Sequence, residues 1–489
     1  MIDERTTLQT VAGLHGLILA WETDHGVMQA AYDYAVRVQP SAEGRGHVCL
    51  RATIVSDRAC PALLELSALR GITATLNAQT VASGAPRIEP FGNTWPIMLR
   101  AGENHLQLDV RVAEVNPRIS ARLIAQDRSP LTCVSEVRPH WRGVSEQLRA
   151  PLPEGARVSL WHQWNELCSR PPLLRLSEHG YDAWLAWHNA FGGRLRALIG
   201  PTEPALHPHP QVISSERLGD YRRDRVLLAT EPTVAMPAWL LVPDEPNGAG
   251  IVAIHGHGYV YGETVGVSGD EASTDAVQRH NYGYGARLAE RGYTVISPEM
   301  RNFGARRDAQ GFRRDPCDSV ALRLQQFGIN LIADQVRDLR CALSCLLAQP
   351  TVTGLVGATG LSYGGRLTMY LAALDHRVAC ACASGALNTF RERLTIDASC
   401  AAQFVPGLLE YGDTPDIFGL IAPRPLLLEL GTVDGTSPEI FAMEAWAQIE
   451  RIYDAAGARD RLDIDVFETG HIYHGAKSFD WFDRWLLDA

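Results

Sequence analysis

The hydrophobic and polar positions divide the chain into three parts with different periodicities. Up to about residue 128, short runs of branched residues with partial alternation, such as "GHVCLRATIVSD", are separated by Gly, Pro, Asn and Asp. Runs of this kind, bounded by turn-forming residues, are typical of β-strands. Several of them in succession predict a β-sandwich domain over residues 1–128.

The middle part, residues 129–210, changes to a helical pattern. Trp184 and Trp187 are three residues apart, which places both on one face of a helix. The stretch that follows, "GPTEPALHPHPQ", is rich in proline and is typical of a linker. We therefore predict a helical connector and linker between two larger domains.

From residue 211 to 489, short apolar runs alternate with helical stretches. Nearly continuous apolar strands between helices predict a doubly wound, mostly parallel sheet that is covered on both faces. We expect eight strands, the first two of which pair antiparallel because only a short connection separates them. The eight runs are "RVLLAT", "MPAWLLVPD", "GAGIVAIHG", "GYTVISPE", "VTGLVGATG", "RVACACASG", "RPLLLELG" and "LDIDVFETG". Open sheets of this α/β class bind ligands at the carboxyl ends of their strands.

Composition and charge narrow the class of protein. The chain has 489 residues and a net charge of −11, which argues against a nucleic-acid partner. It has neither a signal-peptide pattern nor a run of roughly 18 apolar residues, so we expect no membrane partner. Its ten cysteines are scattered, without a C-x-x-C pair. This spacing predicts unpaired thiols in a reducing compartment and thus a cytoplasmic protein.

The segment "GLSYGG", which follows the fifth apolar run, contains the candidate nucleophile. Gly360, Ser362 and Gly364 fit the G-x-S-x-G pattern, and a helical stretch begins immediately afterwards. In a strand-turn-helix context this pattern forms a strained turn that exposes the serine hydroxyl above the sheet. We therefore predict that Ser362 is a catalytic nucleophile.

A serine nucleophile requires a general base and an acid that orients the base. In this fold class the chain order is Ser, then Asp or Glu, then His, and each residue follows a late strand. Asp434 in "LGTVDGTSPE" and His471 in "FETGHIYHG" meet this expectation. His474 remains an alternative base and Glu439 an alternative acid. We expect Glu429 to face the sheet, and Asp413 and Asp416 precede the strand and are poor candidates.

The oxyanion of an acyl-transfer reaction needs two backbone N–H donors. One is normally the residue after the nucleophile, here Tyr363, and the other lies in the loop after the third strand. That loop is "HGHGYVYGE", and we predict His257 as the second donor. The glycines of this loop explain the histidines without a metal, so we expect no metal ion and no cofactor.

Five stretches carry a family resemblance: "AIHGHG", "NYGYGARLAERGYTVISPEMRNFGARR", "GLSYGGRLTMYLAALDHRV", "APRPLLLELGTVDG" and "LDIDVFETGHIYHG". The segment from about 211 to 489 resembles the alpha/beta-hydrolase superfamily, in the dienelactone-hydrolase-like and acetyl-xylan-esterase-like branch. The resemblance implies a triad of Ser362, Asp434 and His471. Dienelactone hydrolases use a cysteine nucleophile, so the serine puts that activity in doubt. Glu299 stands where relatives carry Asp, so we assign it no role.

The N-terminal part carries a second resemblance. The runs "GITATLNAQTV" and "PIMLRAGENHLQLDVRV" are similar to the galactose-binding-like jelly-roll modules attached to many carbohydrate-active enzymes. This resemblance implies a jelly-roll-like accessory domain. Whether the domain binds carbohydrate or only covers the catalytic domain stays open.

The expected function is that of a serine carboxylic-ester hydrolase that acts through an acyl-enzyme on a small or short-chain ester. The resemblance alone suggests an acetylated sugar as substrate. Two alternatives stay open: an amidase or peptidase with the same triad, and a non-catalytic carbohydrate-binding or scaffold protein. The expected partner is a small-molecule ester, and the oligomeric state, including a homo-oligomer, stays open.

Overall fold

The computed structural model divides the chain into two compact units, Met1–Pro171 and Pro172–Ala489. Within the described residues, no helix is both long and apolar enough to cross a membrane. The structure describes residues 11–12, 17–18, 20–23, 26–29, 36–37, 46–67, 72–84, 94–112, 118–126, 131, 133, 160–203, 210–257, 262–268, 271–307, 316–396, 399–437 and 439–488.

The first unit is built from two antiparallel sheets. One has the strand order β1-β2-β12-β7-β10, with β5 beside β12, and the other has the order β4-β3-β6-β11-β8-β9. Alternate residues of both sheets, among them Leu50, Leu64 and Leu108, are buried in one apolar cluster. This arrangement matches the predicted β-sandwich. The elements are β1 Val11–Ala12, β2 Leu17–Ile18, β3 Ala20–Thr23, β4 Gly26–Gln29, β5 Val36–Arg37, β6 Gly46–Ser56, β7 Cys60–Ser67, β8 Ile72–Leu76, β9 Gln79–Gly84, β10 Thr94–Leu99, β11 Gly102–Val112, β12 Arg118–Ile124 and α1 Leu160–Ser169.

One cysteine pair in this unit contradicts the sequence analysis. Cys60 and Cys133, which are 73 residues apart, form a disulfide. The expectation that all ten cysteines are thiols was therefore wrong for this pair. The other eight, all in the described part of the chain, are not in disulfides.

The second unit alternates strands and helices as predicted, around one nine-stranded sheet of order β13-β14-β15-β17-β16-β18-β19-β20-β21. Its elements are α2 Tyr181–Ile199, β13 Gln211–Leu218, β14 Tyr221–Glu231, β15 Val234–Pro243, β16 Gly250–Ile254, α3 Glu271–His280, α4 Tyr284–Glu290, β17 Thr294–Pro298, α5 Pro316–Gln325, α6 Leu331–Leu347, β18 Val356–Leu361, α7 Tyr363–Leu374, β19 Val378–Ser384, α8 Phe390–Ile396, α9 Leu408–Tyr411, α10 Thr414–Gly419, β20 Leu426–Gly431, α11 Glu439–Ala455, β21 Leu462–Phe467 and α12 Ser478–Phe482.

The directions of the strands agree with the prediction, but their number does not. β14 and β15 pair antiparallel, as expected, and the strands from β17 through β16 to β21 are parallel. The sheet has nine strands where eight were expected. The additional strand is β13, which lies at the sheet edge and is exposed along nearly its whole length. An edge strand without an apolar face has no hydrophobic run by which the sequence could identify it.

The sheet of the second unit is buried on both faces. In β16, Val252 and Ile254 belong to one apolar cluster, whereas Ile251 and Ala253 belong to another. Two-sided burial explains why the central strands have continuous apolar runs rather than alternation. All parallel strands end at the same edge, and that edge carries the candidate site.

The helix α2 belongs to the second unit. Trp184, Trp187, Phe191 and Leu195 on one face of α2 are buried in a cluster shared with the sheet. The structural division therefore falls at Pro171, whereas the sequence placed a connector up to residue 210. Most of the remainder of that connector, residues 134–159 and 204–209, lies outside the described residues.

Candidate active site

The three candidate catalytic residues lie after parallel strands at one edge of the sheet. Ser362 directly follows β18, Asp434 follows β20, and His471 follows β21. β19 lies between β18 and β20, and its last residue, Ser384, is in register with Leu361. The carboxyl end of β19 thus separates the serine from the loops that carry the acid and the histidine.

Ser362 has the backbone conformation of a nucleophile elbow. Its φ of 63° and ψ of −120° lie in a region that non-glycine residues rarely adopt, at a cost of about 1–3 kcal/mol. The flanking glycines make the turn sterically feasible. A Cβ on Gly360 would lie 2.5 Å from the backbone carbon of Gly364, and one on Gly364 would overlap the carbonyl oxygen of Ile254. The helix α7 then begins at Tyr363, so the serine lies at the positive end of its dipole.

Asp434 and His471 form a hydrogen-bonded pair. His471 Nδ1 lies 2.7 Å from Asp434 Oδ2, and the carboxylate is buried. Thr436 donates its backbone N–H and its hydroxyl to Asp434 Oδ1, at 2.7 Å and 2.8 Å. Burial alone would raise the pKa of Asp434, but the charge and hydrogen bond of His471, with the Thr436 bonds, hold it below its ordinary value. An ionised aspartate in this position fixes the Nδ1–H tautomer of His471 and leaves Nε2 available as a base.

The end of β19 connects the serine to the histidine loop. The Ser362 N–H donates to the carbonyl of Ser384, and the Ser384 hydroxyl donates to the carbonyl of Ile472, beside His471. Gly385 follows, and a Cβ there would lie 2.8 Å from His471 Cε1. The histidine ring therefore lies so close to Gly385 that any side chain there would displace it. Among the described residues, the Ser362 hydroxyl has no hydrogen bond. Catalytic hydrogen bonds are often long without substrate and shorten when substrate binds.

The alternative base, His474, also has a carboxylate partner. Its Nδ1 lies 2.7 Å from Asp465 Oδ2, and its ring stacks on Phe467 at 4.1 Å between centroids. The N–H groups of His474 and Gly475 donate to the buried carboxylate of Glu429. Glu429 thus anchors the histidine loop from within the sheet.

The other carboxylates weighed from the sequence make contacts away from His471. Glu439 begins α11, and burial raises its pKa to about 7, so that it would be partly protonated at neutral pH. Asp413 and Asp416 form a capping box at the start of α10. Glu299 accepts hydrogen bonds from Arg225 and from the Arg306 backbone. None of these contacts involves His471.

The two residues predicted to donate to the oxyanion, Tyr363 and His257, contact each other through their rings. Tyr363 is the first residue of α7, so its N–H has no acceptor within the helix. The ring of His257 lies over that of Tyr363, with 4.7 Å between centroids. The loop that carries His257 passes close to the elbow, because a Cβ on Gly256 would lie 3.2 Å from Ser362 Cβ. Residues 258–261 of this loop lie outside the described residues.

The neighbouring histidine, His255, supports the loop. Its ring is buried, and burial lowers its pKa to about 4, so the imidazole is neutral at physiological pH. Nε2 accepts the N–H of Met300 at 3.0 Å, which leaves Nδ1–H to donate to the carbonyl of Gly256 at 2.8 Å. His255 thereby fixes the backbone just before His257.

A pocket of about 150 Å³ opens onto Ser362. The sequence analysis named only three of its lining residues. Thr436 stands two residues after the predicted acid and could have been found as a partner for it. The others come from α7, α8 and the segments around them, which only the tertiary fold brings together. The lining residues are His257, Ser362, Tyr363, Arg366, Gly385, Ala386, Asn388, Arg393, Cys400, Gln403 and Thr436.

One cluster beside this pocket has the donor atoms of a metal site. A ligand atom from each of His257, Cys317 and Cys400 lies within 4.8 Å of the other two, among the described residues. The sequence analysis predicted His257 as an oxyanion donor and expected no metal ion at its loop. The two cysteines lie 60 and more residues away along the chain and gave no local spacing signal.

Comparison with known proteins relates part of the chain to one family. Residues 260–407 match the profile described as "Dienelactone hydrolase family", a region that includes Ser362 and ends before Asp434 and His471. The second unit has the alpha/beta-hydrolase fold, and the match supports a hydrolase enzyme. The resemblance that the sequence suggested is thereby confirmed at the level of fold and enzyme class.

Two individual proteins show the extent of the similarity. "Putative hydrolase YtaP" of Bacillus subtilis (strain 168) is 25% identical over 267 residues, which are 51% of this chain and 83% of that protein. The crystal structure of a putative acetyl xylan esterase from Bacteroides fragilis NCTC 9343 superposes with a TM-score of 0.55 and 18% identity. The superposition covers 65% of this chain and 84% of the esterase chain. At this identity the structural likeness concerns the fold.

Proposed function

We propose that this hydrolase cleaves carboxylic esters through a Ser362–His471–Asp434 triad. The observation that carries the proposal is the Asp434–His471 pair at the sheet edge where Ser362 occupies a strained elbow. The dienelactone hydrolase match and the esterase described above among its structural relatives support ester chemistry.

The proposed reaction follows from the positions of these groups. His471 Nε2 takes the proton of Ser362 Oγ, which attacks the ester carbonyl and forms a tetrahedral intermediate. Asp434 accepts the Nδ1–H bond and stabilises the imidazolium. The N–H groups of Tyr363 and His257 donate to the oxyanion, each contributing about 3 kcal/mol by precedent. His471 then protonates the leaving alcohol. In the second step, His471 accepts a proton from water as the water attacks the acyl carbonyl, and it returns that proton to Ser362 Oγ as the acid leaves.

The pocket favours a small, polar substrate. Its volume of about 150 Å³ is below the 300–1,000 Å³ typical of sites for drug-sized ligands, so a short acyl group fits best. Arg366, Asn388 and Arg393 give the lining hydrogen-bonding groups rather than an apolar wall. An acetylated sugar, whose alcohol part carries hydroxyls, meets both conditions and is our proposed substrate class.

The test combines covalent labelling with a substrate panel. A fluorophosphonate probe should label the wild type on Ser362, and Ser362→Ala should lose labelling and lose turnover by about 10⁶-fold. The panel contains p-nitrophenyl esters of increasing chain length, acetylated sugars and a matched p-nitrophenyl amide. Labelling without ester turnover but with amide turnover would favour the amidase or peptidase alternative. No labelling and no turnover would favour a non-catalytic carbohydrate-binding or scaffold protein.

Three expectations from the sequence stay predictions: the jelly-roll topology of the N-terminal unit, the cytoplasmic location and the lack of a nucleic-acid partner. Carbohydrate binding by the N-terminal unit and the oligomeric state stay open. The Cys60–Cys133 disulfide bears on the cytoplasmic location, because disulfides persist mainly in oxidising compartments. Mass measurement of alkylated protein with and without reductant would establish whether that bridge forms in the expressing cell.

A further inference from the structure

Three chain segments meet beside the pocket that contains Ser362 and bring two thiols and an imidazole together. His257 follows β16, Cys317 is the second residue of α5, and Cys400 precedes the turn Ala401–Gln403. Cys400 Sγ lies 3.3 Å from His257 Nε2, and all three ligand atoms lie within 4.8 Å of one another. We propose that these residues bind a thiophilic divalent cation, Zn²⁺, and that its binding inhibits hydrolysis.

The spacing of the donor atoms suits tetrahedral zinc. With Zn–S near 2.3 Å and Zn–N near 2.0–2.1 Å, tetrahedral angles place S and N about 3.6 Å apart and two sulfurs about 3.8 Å apart. The Cys400–His257 distance is close to the first value, and 4.8 Å bounds the others. Small side-chain shifts would complete the coordination. Three protein ligands leave one position for water or an added ligand.

The surroundings of the sulfurs favour the thiolates that a metal requires. Asn302 donates an amide N–H to Cys317 Sγ, and Gln403 donates one to Cys400 Sγ, both at 3.6 Å. The two amides would also remain as outer partners that orient the bound thiolates.

The cluster is held together by contacts of its own. The carboxylate of Asp318, next to Cys317 on α5, accepts the backbone N–H of Ala401 at 2.7 Å, next to Cys400. This bond fixes the two cysteine-bearing segments to each other. The two cysteines are not joined as a disulfide, in contrast to Cys60 and Cys133. The soft thiolate pair with an imidazole selects Zn²⁺ over Mg²⁺ or Ca²⁺.

Occupancy would act on the catalytic pocket directly. His257 and Cys400 line the pocket together with Ser362, so a cation bound between them would lie against the space that the substrate must occupy. A coordinated His257 ring would also be fixed over Tyr363, beside both proposed oxyanion donors. Binding of Zn²⁺ to the three residues does not depend on which reaction the pocket catalyses. The inhibition by Zn²⁺ rests on the proposed function.

The binding experiment uses Co²⁺ as a spectroscopic substitute for Zn²⁺. The full chain is treated with chelator under reductant, exchanged into chelator-free buffer and titrated with Co²⁺. We expect one equivalent to produce a thiolate-to-cobalt charge-transfer band and intense tetrahedral visible bands, which Zn²⁺ then removes. Loss of an outer partner typically weakens binding 10–100-fold, so loss of a ligand in Cys317→Ala should weaken it about 100-fold or more. The matched control is Cys345→Ala, a buried cysteine of α6 outside the cluster.

The activity experiment separates this proposal from the proposed function. Saturating Zn²⁺ should lower wild-type turnover of a short-chain ester at least about tenfold, and chelator should restore it. Cys317→Ala should keep its basal turnover and resist Zn²⁺. Absence of the charge-transfer band, an unchanged titration of Cys317→Ala, or formation of a Cys317–Cys400 disulfide in place of binding would overturn the site. Full occupancy without inhibition would overturn the regulatory part, and a wild type inactive without metal would instead count against the proposed function.

Discussion

Two histidines three residues apart, His471 and His474, each hold a carboxylate through Nδ1 at 2.7 Å. Judged by this distance alone, His471–Asp434 and His474–Asp465 are equivalent. Their surroundings differ. His471 lies against Gly385 and Thr436, which line the pocket of Ser362, whereas His474 stacks on Phe467 of β21.

The comparison teaches that a His–Asp hydrogen bond is not sufficient to identify a catalytic base. Asp434 has two further donors from Thr436, which keep it ionised and oriented. The loop around His474 is instead tied to Glu429 through two backbone N–H groups. We infer that the second pair supports the shape of the loop and that the first pair transfers the proton.

Removal of each imidazole is the strongest test of this difference. His471→Ala should lower kcat/KM by about 10⁴-fold or more, because the nucleophile loses its base. His474→Ala is the matched control and should stay within about tenfold, since it loses only a ring stack on Phe467 and one hydrogen bond to Asp465. The measurement is steady-state hydrolysis of a short-chain ester by both variants. The reverse ranking would transfer the catalytic role to His474.

The carboxylates that partner the two histidines, Asp434 and Asp465, allow a second test of the same difference. Asp434→Asn should lower kcat by about 10³–10⁴-fold, because the amide would favour the wrong tautomer of His471. Asp465→Asn should keep most of the activity. Equal losses of kcat in the two variants would mean that both His–Asp pairs contribute to catalysis. They would contradict the contrast between His471–Asp434 and His474–Asp465.

Much of this edge of the sheet could be predicted from sequence, because its signals are local. Continuous apolar runs marked the parallel strands, and Ser362, Asp434 and His471 were found as residues that follow them. The edge strand β13 was missed, since its residues are exposed and form no apolar pattern. Local sequence signals thus identify buried strands and the turns that follow them. They fail for a strand such as β13 that is held only by backbone pairing.

The remainder depends on contacts between distant segments. The Cys60–Cys133 bridge joins residues 73 apart, and no spacing pattern indicates it. Cys317 and Cys400 come together only through α5 and the segment after α8. Gly385 ends an apolar run like any other glycine, and its contact with the His471 ring is visible only in the fold.

Two glycines with positive φ allow a smaller test of the comparison. Gly385 has φ 58° and a Cβ there would meet His471 Cε1 at 2.8 Å, whereas Gly475 has φ 75° and a Cβ there would meet the Phe479 ring at 3.0 Å. Both substitutions with alanine should cost about 1–2 kcal/mol of stability from backbone strain. Only Gly385→Ala should displace the catalytic ring and lower kcat, by about 10–100-fold. Thermal melting and turnover of both variants separate the two effects, and equal turnover would show that the ring position tolerates displacement.

The smallest expected effect concerns the hydroxyl of Thr436. Thr436→Val removes one of the two donors to Asp434 Oδ1 and keeps the backbone N–H, so turnover should fall about tenfold or less.

The stability of the folded Thr436→Val variant at acid pH should change as well. The folded-state pKa of Asp434 is held below its ordinary value, partly by Thr436, so its ionisation stabilises the fold at pH above the unfolded value of about 3.9. That stabilisation is lost as the pH falls through the folded-state pKa. Without the hydroxyl the folded-state pKa rises toward the unfolded value, so the valine variant should lose stability at a higher pH than the wild type. Thr436→Ser keeps the hydroxyl and should follow the wild type. Melting temperatures measured between about pH 3 and 7 decide the point: if the valine and serine variants give the same acid profile, the hydroxyl does not tune Asp434, and the contrast with Asp465 rests on Gly385 and the pocket alone.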